Sequence, residues 1–261
     1  MRTQVIPVAK IPLLIPLLLA LLAASAPQQS AQQSSPSQKS DSSNSSPNSS
    51  ESKTKSSDQA FQKVLQQMDA TARNFQSAQA DFVWKMHNSV VNDFVANDTG
   101  KIYFRRKNNE IQMAADITQP AAKQVIFSGG KIEIYTPKTE QVDVYDASAH
   151  RDEFEAFLVL GFGSSGEDMQ KSFDVKYVGQ ETVGTADTRV LELTPRSQKI
   201  KEEFPRIDLW IDSQGFSLRQ KLYQPDGDYR LAEYSKIQPN SKISENVFKL
   251  KKSGNAKTIN H

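Results

Sequence analysis

The 261-residue chain contains no cysteine, and that one absence removes several chemistries. Lipidation on a lipobox cysteine, zinc sites built on thiolates, thiol catalysis and disulfide bonding are all excluded. An exported domain with a core of this size is stable without disulfides. Histidine is nearly missing too, with only His87, His150 and His261, far apart and with no second ligand at helical spacing. Nor is there an excess of one charge: 32 Lys and Arg face 30 Asp and Glu. Without a basic stripe to neutralise phosphates, nucleic acid is not an expected partner. A long apolar run is the last absence. The longest, at 11–24, has about 14 residues, short of the ~20 that a spanning helix needs.

That short run has a charged approach in Arg2 and Lys10, and small residues after it at Ala23, Ala24, Ser25 and Ala26. The order predicts a cleaved secretory signal peptide over 1–26, with an uncleaved anchor as the weaker alternative. Residues 27–57 are almost entirely Ser, Gln, Asn, Pro and Lys. With no side chain to bury, they predict a disordered linker. The folded domain is expected over 58–261, roughly 200 residues and enough for one core.

A helix is predicted from Asp58, because Phe61, Val64, Leu65, Met68, Ala72 and Phe75 recur at spacings of three and four. After Phe75 the period becomes two. Phe82, Trp84 and Met86 share one phase; Ile102 and Phe104 follow, then Ile111, Met113 and Ala115, then Ile132 and Ile134. Phe173 and Val175, Leu191 and Leu193, Ile207, Leu209 and Ile211, Leu218 and Leu222, and Tyr229 and Leu231 continue the pattern. These predict half-buried antiparallel strands in one meander-like sheet. Turns are expected at 97–100, 107–109, 128–130, 212–215 and 225–227, which are rich in Asn, Asp and Gly. Residues 150–171 interrupt the rhythm and predict a short helix with a glycine-rich loop. A sheet curling around this segment and the first helix would enclose an apolar interior.

Enzymatic motifs are not supported, and the protein is expected not to be an enzyme. Gly161, Gly163 and Gly166 have the spacing of a dinucleotide loop, but that motif works only between a strand and a helix of a βαβ unit. A loop beside a helix end is the simpler reading. No Gly-x-Ser-x-Gly elbow and no His-Glu-x-x-His pattern occurs, and adjacent acids such as Asp152 and Glu153 are ordinary surface charge. No metal and no cofactor are expected.

In the strand GKIYFRR at 100–106, Arg106 falls in phase with Ile102 and Phe104. An arginine on an interior face is costly unless paired. It is expected either to snorkel at the strand end or to act as a latch on whatever covers the interior.

With these pieces in place the chain resembles the bacterial outer-membrane lipoprotein carrier family (LolA-type periplasmic proteins) over roughly 61–252. The resemblance rests on FQSAQADF at 75–82, GKIYFRR at 100–106, TQP at 118–120 and VIFSGGKIEIYTP at 125–137. LELTP at 191–195, IDLWID at 207–212 and NVF at 246–248 extend it. The resemblance implies a mostly β (α+β) fold, an incomplete antiparallel β-barrel (half-barrel) with helices covering the open side. It also implies a monomeric periplasmic carrier for the acyl chains of lipoproteins. Its partners would be an inner-membrane lipoprotein-releasing transporter and an outer-membrane receptor. The family's important arginine falls on Arg106. Lys107 stands where the family commonly has proline, and Met113 lies near the place of a family tryptophan. Phe82, Trp84, Ile102, Phe104, Met113, Ile132, Ile134, Leu193, Leu209 and Ile211 are expected to line the cavity. Two other functions are compatible with the fold: a binder of another lipid or glycolipid, and an envelope-stress sensing or interaction domain.

Overall fold

The computed structural model describes residues 50–108 and 110–261. The signal peptide expected over 1–26 and most of the linker expected over 27–57 lie outside the described residues. Helix α1 (Ser50–Arg73) begins before Asp58, within that linker stretch. A helix satisfies its own backbone hydrogen bonds, so it extends over polar residues that show no apolar period. Its buried face is Val64, Leu65, Met68 and Ala72.

Twelve strands follow: β1 (Ser77–Asn88), β2 (Asp93–Lys107), β3 (Glu110–Gln119), β4 (Lys123–Ser128), β5 (Lys131–Thr136), β6 (Gln141–Asp146), β7 (Phe173–Val183), β8 (Ala186–Pro195), β9 (Arg206–Ile211), β10 (Ser217–Tyr223), β11 (Tyr229–Pro239) and β12 (Lys257–Asn260). They form one sheet in the order β12-β6-β5-β4-β3-β2-β1-β11-β10-β9-β8-β7, antiparallel except for the β12–β6 pair. The sheet is mostly a meander and stays open, a half-barrel rather than a closed barrel. Register shifts at Met86/His87, Thr99/Gly100, Gln79/Asp81, Tyr177/Gly179 and Ser217/Arg219 are the irregularities that bend and twist such a sheet. Between β6 and β7 lie α2 (Arg151–Leu158) and α3 (Gly166–Ser172); α4 (Gln198–Glu203) joins β8 to β9. Among the described residues no helix is long and apolar enough to cross a membrane.

Alternation divides the sheet into two faces. The inner face carries Phe82, Ile102, Phe104, Met113, Ile132, Ile134, Leu193, Leu209 and Ile211. It packs with Phe154, Phe162 and Met169 from the α2–α3 region into the main core. The turn expected at 97–100 is instead strand. Asp98 is buried, and Gly100 sits where β3 comes so close that a Cβ would clash with Asp116 O. Glycine here serves close backbone approach, not a turn. The reversal between β1 and β2 comes earlier, at 89–92, with Asn92 at φ 53°. That hairpin leaves Val90, Val91, Phe94 and Val95 exposed.

Part of the outer face is covered as well. Ala114 and Ile126 are buried there beneath Phe248, beside Val247 and Leu250, so the segment after β11 lies across β3 and β4. Arg105 holds it in place. Its guanidinium stacks 4.0 Å from the Phe248 ring and donates to both carboxylate oxygens of Glu245 at 2.7 and 2.9 Å. Lys107 reaches the same carboxylate at 3.2 Å. These donors, Arg105 first, hold the Glu245 carboxyl down at about 2, against an ordinary value of 4.5. A lowered carboxylate stabilises the fold fully above its unfolded value and less as the pH falls toward its folded one. Glu245→Gln is therefore expected to melt earlier than the parent at neutral pH. The gap should narrow below pH 4.5 and close near pH 2; a pH-independent gap in thermal melts would contradict the clamp.

Candidate functional site

Helix α2 crosses the inner face of the sheet and leaves a cleft beneath it. The cleft is lined by Trp84 and Met86 of β1, Ala96, Asp98, Ile102 and Phe104 of β2, and Met113 of β3. Gln220 and Leu222 of β10, with Arg230, Ala232 and Tyr234 of β11, form the far wall. Phe154, Phe157 and Leu158 of α2 form its roof. The cavity measures about 80 Å³, below the roughly 300–1,000 Å³ typical of ligand pockets, so the roof is closed down on the floor.

Polar contacts hold both ends of the roof. At the start of α2, Arg151 bridges Glu155 at 2.7 Å and Glu110 of β3 at 3.0 Å. Beyond its end, Gln220 Nε2 donates to the Leu160 carbonyl at 2.6 Å, and the Ser217 N–H to Gly161 O at 2.9 Å. The glycines of the loop permit this contact. A Cβ on Gly161 would clash with the Ser217 Cβ, and one on Gly163 with the Phe75 ring. Both have positive φ, 74° and 95°. At Gly166 the amide donates to the Asp69 carboxylate at 2.8 Å. The glycine spacing thus serves packing against β10 and α1, and the helix end that would face a phosphate already faces an acid.

Trp84, Ile102, Phe104 and Met113 line the cleft. Phe82, Ile132, Ile134, Leu193, Leu209 and Ile211 are not on its wall; they are buried in the core cluster that continues from it. Phe82 supports the wall directly, stacked 3.9 Å from Trp84. Arg106 stands elsewhere. It is exposed at the end of β2, in a second cleft of about 460 Å³ between α2 and α3, with Asp152, Glu155 and Asp168. Its amide donates to Gln76 O at 2.8 Å, and no ion pair joins its guanidinium to those acids. Lys171 and Ser165 engage Asp168 and hold its carboxyl low, with a smaller pull from Arg106.

Sequence reasoning missed the polar end of the cleft, formed by Asp98, Gln220, Arg230 and Tyr234. Burial raises the carboxyl of Asp98, with Lys123 opposing. Burial also raises the phenol of Tyr234. The Arg230 guanidinium is lowered by burial, against the pull of Glu203, Asp228 and Asp226. The stretch DYRLAEY at 228–234 alternates equally well in two phases. Tyr229 and Leu231 were expected as the apolar face, but β11 turns Arg230, Ala232 and Tyr234 inward. Pairing with β1 decides the phase: Ala232 faces Trp84 and Tyr234 faces Phe82. Among the described residues no group of three or more His, Cys, Asp or Glu gathers as a metal site.

The chain is similar to several solved structures. A putative outer membrane lipoprotein-sorting protein domain from Vibrio parahaemolyticus is 13% identical, with 71% of this chain and 94% of that chain covered and a TM-score of 0.40. A LolA superfamily protein from Nitrosomonas europaea is 15% identical, covering 72% and 97%, with a TM-score of 0.35. The Pseudomonas aeruginosa MucA/MucB complex gives 17% identity and a TM-score of 0.43; 72% of this chain matches, but only 59% of the matched chain is spanned. No curated protein matches the sequence. The family profile described as outer membrane lipoprotein carrier protein LolA matches residues 73–251, from the end of α1 through the segment that covers the outer face. The chain belongs to the LolA family of outer membrane lipoprotein carrier proteins.

Proposed function

We propose that this protein is a periplasmic carrier that shields the acyl chains of lipoproteins under α2 and delivers them from the inner to the outer membrane. The observation that carries this reading is the apolar cleft roofed by Phe154, Phe157 and Leu158 and floored by Ile102, Phe104 and Met113. Family membership gives it its direction. The physical need is plain. Each methylene removed from water contributes about 0.8 kcal/mol, so a long acyl chain carries on the order of ten kcal/mol against crossing water. A carrier must supply that shelter and still release its load, and a roof that closes on an apolar floor competes with the cargo. No cofactor enters this scheme. An inner-membrane lipoprotein-releasing transporter would load the cleft and an outer-membrane receptor would empty it.

In this reading Arg106 is the latch, because it lines the cleft between α2 and α3. Arg106→Leu is expected to leave uptake of an apolar probe intact and to slow transfer of bound lipoprotein to an acceptor. Unchanged transfer would remove Arg106 from the mechanism. The cargo itself is tested by solvent extraction of protein purified from the exported fraction, followed by mass spectrometry. Triacylated peptides in the extract support the lipoprotein reading. Glycolipid or phospholipid alone would keep the cleft but replace its cargo.

A further inference from the structure

We propose that the cleft reads the head of its ligand, with the indole N–H of Trp84 and the guanidinium of Arg230 donating to the carbonyl oxygen of a neutral acyl ester or amide. This rests on the cleft being an acyl-chain site. Trp84 faces Ala232 across β1–β11, and Arg230 faces Met86. The two are therefore diagonal neighbours on the inner face, about 7–8 Å apart in the backbone and within side-chain reach of one oxygen. The Trp84 ring is fixed by stacking 3.9 Å from Phe82. Its Nε1 is buried with no hydrogen-bond partner. Tyr234 lies near enough for the indole to ease its ionisation slightly, but no well-formed bond joins them. A buried N–H without an acceptor is costly, and a site retains it where a ligand supplies the acceptor.

Charge decides which acceptor. Arg230 already feels Glu203, Asp228 and Asp226, and Asp98 is buried in the same cleft with its carboxyl raised. A carboxylate or phosphate head would bring another negative charge among these acids. A carbonyl accepts both donors and adds none. With its carbonyl there, the chain would run over Ile102, Phe104 and Met113 as Phe157 and Leu158 lift from the floor.

A matched pair of ligands tests this on the full chain. 1-Monopalmitoylglycerol and 1-O-hexadecylglycerol share the glycerol head and a sixteen-carbon chain, but only the first has a carbonyl. Displacement of a fluorescent apolar probe is expected to show the ester binding about tenfold tighter than the ether, the scale of a hydrogen bond to buried donors. Trp84→Phe, which keeps the ring, and Arg230→Met should each bring the ester toward the ether and leave the ether within about twofold. Palmitate should bind no tighter than the ether. Equal binding of ester and ether, or equal weakening of both in the variants, overturns the carbonyl site while leaving the acyl cleft standing. Palmitate binding tightest overturns it in favour of an anion site. Displacement by none of the three overturns the site together with the acyl-cleft reading.

Discussion

Phe162→Ala is expected to destabilise the protein by about 3–5 kcal/mol, the range for removing a fully buried phenylalanine. At a few degrees per kcal/mol for a domain of this size, the melting temperature should fall by roughly 6–20 °C. The reason is where the ring sits. Phe162 is 1% exposed and meets Phe104 at 4.9 Å, Tyr234 at 4.7 Å and Phe216 at 6.3 Å. It therefore ties the loop after α2 to β2, to β11 and to the turn just before β10 at once, between two glycines that let the chain come that close. Two of the neighbours stand on different strands of one sheet, so the void has little means of collapsing. Val90→Ser is the matching control. That side chain is 80% exposed at the hairpin tip, and its replacement should change stability by no more than about 0.5 kcal/mol. Thermal or denaturant unfolding of the three proteins checks both. A Phe162→Ala loss below about 1 kcal/mol would mean the ring is not the junction described.

The second large effect concerns binding rather than stability. Phe157→Asp and Leu158→Asp are expected to weaken uptake of an acyl ligand at least a hundredfold, about 2.7 kcal/mol. Both side chains are half-buried on α2 and line the roof of the cleft. A carboxylate there remains near water in the empty protein, and a bound chain would strip that water from it. The penalty of burying an unpaired charge therefore falls on the complex. The free fold should lose about 1 kcal/mol or less, since neither residue belongs to its fully buried core. Melting and probe titration on the same samples separate the two quantities. Parallel losses of stability and binding would indicate that α2 is an ordinary part of the core rather than a roof.

The sheet was legible in the sequence because most strands bury one face, and single-face burial leaves a period of two. The positions from Phe82 to Met86, at Ile102 and Phe104, and along Ile207, Leu209 and Ile211 show it most clearly. Where both faces are covered the period is lost: QVIF at 124–127 is nearly continuous in burial because Phe248 lies over Ile126 on the outer side. That unbroken run was the available signal for the outer cover. Asn97 to Gly100 resembled a turn by composition, yet its glycine answers a close approach of β3 and its aspartate faces the cleft. The polar end of the cleft was hidden for a different reason. Local alternation in 228–234 fits two phases, and only the long-range pairing of β11 with β1 selects the one that brings Arg230 inside. Arg106 was placed by phase on the inner face at a strand end. The structure sets it exposed between α2 and α3, in its own cleft apart from the one beneath Phe157.

The measurement closest to the central claim is titration of the purified protein with a fluorescent apolar probe, followed by displacement with a triacylated lipopeptide. The account predicts saturable probe binding with one site, full displacement by the lipopeptide, and none by the same peptide without its acyl chains. Absence of probe binding, or displacement by the unacylated peptide alone, would contradict it and turn attention to a protein-binding role for the fold.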